Sequence, residues 1–99
     1  MAAQDVDRQT GSITVTGKTP AGFPNQFDIE PVWTINKVIE DMVKRFEAEG
    51  KLEKGDYNLV LVQPDGTTTQ LVGSQKVSEY KIDNGDELDL IVGEPQKDG

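Results

Sequence analysis

Cysteine and histidine are both missing from the 99 residues. Without cysteine there is no disulfide framework, no thiolate nucleophile and no sulfur ligand for zinc or an iron–sulfur cluster. Without histidine, acid–base work would fall on carboxylates or lysine. No set of residues earns a catalytic assignment, so the chain reads as a non-enzyme that needs no cofactor and no metal.

Long apolar runs are missing too. No stretch approaches the ~20 residues that span a bilayer, and the opening Met1-Ala2-Ala3-Gln4-Asp5 has neither the basic start nor the apolar core of a secretory signal. A cytoplasmic protein with no membrane partner is expected. Basic side chains are scarce, 10 against 18 acidic ones, for a formal charge of −8. Such a surface repels phosphate backbones, which argues against nucleic acid as a partner. Aromatics make up 6% and hydrophobic residues 34%, both low, yet the apolar residues recur with a clear period. The length suits one small domain with a single core. We expect a monomer with a flexible leader over residues 1–11, a folded domain over residues 12–92 and a polar, flexible tail over residues 93–99.

Within the folded part, Ser12-Ile13-Thr14-Val15-Thr16 alternates apolar and polar residues, predicting a strand with Ile13 and Val15 on its buried face. Residues 17–24 are dense in glycine and proline and predict a turn. Residues 25–30 alternate again, with Phe27 and Ile29 sharing a face, and predict a hairpin partner. Pro31 has no amide hydrogen and ends that ladder.

At Ile35 the period changes. Ile35, Val38, Ile39, Met42, Val43 and Phe46 recur at three-and-four spacing, predicting an amphipathic helix with Thr34 as its N-cap and Gly50 as its stop. Glu40 with Lys44 and Asp41 with Arg45 are spaced to pair along it. Trp33 can staple onto Val38 or, if exposed, anchor a partner. Tyr57-Asn58-Leu59-Val60-Leu61-Val62 predicts a central strand and residues 67–72 an edge strand, joined by a turn at Pro64-Asp65-Gly66. Residues 77–82 read as a connector, residues 83–86 as a turn and residues 87–92 as the last strand.

This order predicts an α+β architecture, a mixed sheet covered on one face by a single helix. If Leu59, Leu61, Leu88 and Leu90 face the helix, alternation puts Val60 and Ile91 on the open face.

The stretches Ile29-Glu30-Pro31-Val32-Trp33-Thr34-Ile35-Asn36-Lys37-Val38 and Val77-Ser78-Glu79-Tyr80-Lys81-Ile82, the latter followed by Leu88-Asp89-Leu90-Ile91, resemble the strand-to-helix junction and the final connector and strand of ubiquitin-like proteins. The similarity runs from about Ile13 to Val92. It implies the ubiquitin-like β-grasp fold and, in a prokaryotic-type protein, a non-catalytic protein-interaction module. It further implies two surfaces. Val60 and Ile91 match members of the family's recognition patch, with Lys18 on its flank and Asp89 where the family carries a histidine. Gly99 matches the C-terminal glycine through which modifiers are conjugated. Partners would then be other proteins: an activating enzyme, a protease or subunits of a complex. A noncovalent β-grasp adaptor of a larger bacterial complex is the alternative, with a sulfur carrier as a third class.

Plainer readings stand beside these. Single exposed aliphatics such as Val60 and Ile91 are normal on any protein, and Gly99 can be an ordinary frayed end. The acidic cluster Asp83, Asp86, Glu87 and Asp89 lacks calcium-loop spacing and reads as a solvated turn. Residues 17–22 lack the spacing of a phosphate loop and join two strands.

Overall fold

The computed structural model describes residues 12–93. Alternation in the first third produces a hairpin. Strands β1 (Ile13–Lys18) and β2 (Pro24–Ile29) pair antiparallel, with Ile13 opposite Ile29 and Lys18 opposite Pro24. The ladder runs further into the glycine- and proline-rich stretch than its composition predicts. Pro24 is tolerated because it is the first residue of an edge strand. The turn shrinks to residues 19–23 and is held by Thr19, whose amide donates to Phe23 O at 3.0 Å while its Oγ1 accepts from the Phe23 amide at 3.1 Å.

Helix α1 (Ile35–Ala48) begins where the apolar period changes. Thr34 caps it, its Oγ1 accepting from the Lys37 amide at 3.2 Å. At the other end Gly50 turns with φ +74°, and the amides of Gly50 and Lys51 donate to Glu47 O and Phe46 O, closing the last carbonyls. Along its outer side the expected Asp41–Arg45 pair is replaced, and Glu40 and Lys44 form no ion pair among the described residues. Asp41 meets Lys37 at 3.3 Å, and Arg45 reaches across to Gln26 O at 3.4 Å with its guanidinium over the Phe27 ring. The rim of the sheet outcompetes a solvated ion pair because the flat guanidinium gains ring contact there.

Strands β3 (Tyr57–Val62), β4 (Thr68–Leu71) and β5 (Glu87–Val92) complete one sheet in the order β2-β1-β5-β3-β4. β5 pairs parallel with β1 and antiparallel with β3, so the last strand lies beside the first. β4 lies at the edge, as expected. Ahead of β5, Thr14 N donates to Asn84 Oδ1 and Gly85 N to Thr14 O, both at 2.8 Å, so the acidic turn is stitched to β1.

The helix covers one sheet face. Val15, Phe27, Ile29, Leu59, Leu61, Leu71, Leu88 and Leu90 meet Ile35, Val38, Met42 and Phe46, all buried. Phe27 and Phe46 pack edge to face with centroids 5.5 Å apart. Each fully buried aliphatic or aromatic side chain contributes about 1.5–3 kcal/mol. The connector, with a single 3-10 turn (Val77–Glu79), closes the end of this core. Just before it, the backbone carbonyls of Gly73 and Gln75 accept from the Asn36 and Ile35 amides, satisfying the first turn of the helix. Trp33 is half-buried against the core with Lys37 Nζ 4.8 Å over its ring.

Candidate interaction surface on the open sheet face

Because α1 takes one face of the sheet, the period of two sends the alternate residues to the other. On β5 those are Glu87, Asp89 and Ile91; on β3 they are Asn58, Val60 and Val62; on β1, Thr14, Thr16 and Lys18. The registers put Asp89 between Lys18 on one side and Val60 on the other, and Ile91 opposite Asn58. Val60 and Ile91 are thus diagonal neighbours across two strands. The structure brings together Lys18, Val60, Asp89 and Ile91, four positions separated by up to 73 places in the chain. Ile91 is 38% exposed and Val60 half-buried.

Asp89 is the least comfortable residue of this patch. Its Oδ1 is buried and has no hydrogen-bond partner among the described residues. Burial pushes its pKa up to about 6, a hydrogen bond donated by protonated Asp89 to Glu87 and then the Glu87 charge add to the rise, and Lys18 opposes it. The orphaned oxygen and the Glu87 hydrogen bond belong to different states: in charged Asp89 the buried Oδ1 has no donor, whereas a proton shared with the neighbouring carboxylate joins the two. Lys18 gives limited relief because its Nζ lies 3.3 Å from Glu87 Oε2.

Glu87 is the member of this patch that the resemblance missed. Its place was open to reading, since Glu87, Asp89 and Ile91 stand two apart on one strand. A second apolar feature had no such signal. Phe23 and Val92, 46% and 74% exposed, line a shallow groove with Pro20, Ala21, Leu52 and Tyr57. Those residues meet only because parallel pairing sets the end of β5 beside the hairpin turn. Gly99 lies outside the described residues. Among the described residues no group of three or more acidic side chains is placed to hold a metal ion. No helix among them is long and apolar enough to cross a membrane.

No family model and no curated protein matches the chain. Solved structures do. The ubiquitin-like domain of PLXNC1 superposes with a TM-score of 0.70 at 14% identity, covering 84% of this chain and all of that one. The ubiquitin-like domain of Arabidopsis thaliana protein At2g32350 gives 0.61 at 16% identity, over 83% and 78%. A chain of the pParkin–pUb–UbcH7 complex gives 0.66 at 19% identity over 86% of this chain, which spans only 24% of that one. With the mixed five-stranded sheet and its single helix, these likenesses establish the fold: α+β, ubiquitin-like β-grasp.

Proposed function

We propose that this chain is a non-catalytic protein-interaction module that docks other proteins on the open face of its sheet, around Val60, Ile91, Asp89 and Lys18. The observation that carries this reading is the contiguity of two aliphatic side chains and a poorly satisfied carboxylate on the face the helix leaves uncovered. A partner that covers them gains apolar burial at about 25 cal/mol per Å². The test is recovery of partners from lysate of the source organism with three baits: the native protein, Val60→Arg with Ile91→Glu, and Lys44→Glu on the exposed side of the helix. Partners lost by the sheet variant and kept by the helix variant support the reading. Equal recovery by all three refutes it.

Conjugation is the second reading, in which the Gly99 carboxylate is activated by an external ATP-dependent enzyme and joined to a target. It rests on the C-terminal glycine in the sequence and on the ubiquitin-like fold. Adducts of higher mass in lysate with ATP that vanish when Gly99 is deleted support it. A thiocarboxylate at Gly99 marks a sulfur carrier instead, and neither product leaves the noncovalent adaptor.

A further inference from the structure

The open sheet face carries more acid than base. Across β2, β1 and β5 its charged residues are Asp28, Lys18, Glu87 and Asp89. Two of these acids have local partners. Thr14 Oγ1 donates to Asp28 Oδ1 at 2.8 Å, and Lys18 Nζ lies 3.3 Å from Glu87 Oε2. Asp89 is the remainder. Its own strand offers it only the Glu87 carboxylate, β1 offers Lys18, which leans on Glu87, and β3 faces it with Val60 flanked by Asn58 and Val62. None of the three β3 residues carries a charge.

A wholly apolar partner would bury this carboxylate without compensation and meet a large desolvation penalty. A partner that brings a cation compensates the charge of this carboxylate as it covers it. Resting on the docking reading above, we propose that the occupant of this face is a basic protein surface whose arginine or lysine side chain seats on Asp89, between aliphatic contacts to Val60 and Ile91. Arginine suits the site better, since its planar fork can span the Asp89 and Glu87 carboxylates while its flat face lies on the aliphatics. The formal charge of −8 adds long-range attraction for such a partner.

This docking depends on pH. The cation selects the charged form of Asp89, which in the free protein holds its proton up to about 6. Affinity therefore falls as pH drops through that value.

The experiment titrates three short synthetic peptides into nitrogen-15-labelled protein and follows the backbone amide shifts. Leucine alternates with arginine in the first, with glutamine in the second and with glutamate in the third. The arginine peptide is expected to move the amides of Lys18, Val60, Asp89 and Ile91, and to bind about tenfold more tightly at about pH 7.5 than at about pH 5. Asp89→Asn, shown folded by its dispersed spectrum, should weaken binding about tenfold and flatten the pH dependence. If the glutamine peptide binds this face as tightly as the arginine peptide, or Asp89→Asn changes nothing, the cation inference fails and the docking reading stands. If no peptide moves these amides, both fail.

Discussion

Replacing Asp89 with asparagine should make the protein more stable at neutral pH and no more stable in acid. The folded pKa of Asp89 is raised from 3.8 to about 6, so the fold prefers the protonated group. Its favourable contribution is complete below about pH 4 and is lost as pH rises through about 6. Taken at face value the shift corresponds to about 3 kcal/mol. Asp89 is partly open to solvent, and screening there reduces this to about 1–2 kcal/mol. Urea denaturation of both proteins at a series of pH values from about 4 to about 7.5 reads the difference directly. Carboxylates elsewhere titrate in both proteins and cancel to first order. The advantage of Asp89→Asn should be near zero at the acidic end and grow to about 1–2 kcal/mol at the neutral end. An advantage that is constant with pH would show that Asp89 titrates alike in both states, and the account of its burial would be wrong.

Other substitutions test the packing. A Cβ at Gly17 would overlap Met42 Cε and stand 2.8 Å from Phe27 Cε2, so Gly17→Val should cost about 1–3 kcal/mol in urea unfolding, partly recovered by adding Met42→Ala. The Val72 amide donates to Tyr80 Oη at 2.9 Å. Tyr80→Phe should cost about 1–2 kcal/mol and speed hydrogen exchange at Val72, since the connector loses its tie to β4. Phe46 is fully buried against Phe27, and Phe46→Ala should cost about 3–5 kcal/mol, visible as a lowered thermal midpoint.

An uncovered sheet face is an opportunity and a hazard in one. The structure tempers it with charge: Lys18, Glu87 and Asp89 interrupt the aliphatics, so Val60 and Ile91 do not form a continuous apolar strip. On the docking reading proposed above, the same charges give the face selectivity, because a partner must match both the carboxylates and the aliphatics. On this view the strain at Asp89 is a feature of the docking surface.

Most of the fold was legible in the sequence because its signals are local. Period two in residues 12–16, the apolar run of residues 57–62, period 3.6 from Ile35 to Phe46, the Thr34 cap and the Gly50 stop each depend on residues within a turn or two of one another. Alternation alone sent Val60 and Ile91 to the face opposite the leucines. What the chain could not show by itself was contact across distance. The parallel register of β1 with β5 sets Lys18 beside Asp89 and draws Val92 to the hairpin turn. Burial of one oxygen of Asp89 and its competition with Glu87 for Lys18 arise only once three strands are side by side. The preference of Arg45 for the Phe27 ring over Asp41 is of the same kind. Sequence determines which way a side chain points, since that follows from backbone periodicity. Tertiary structure decides what the side chain meets there, because burial and charge energies depend on neighbours that pairing alone brings near.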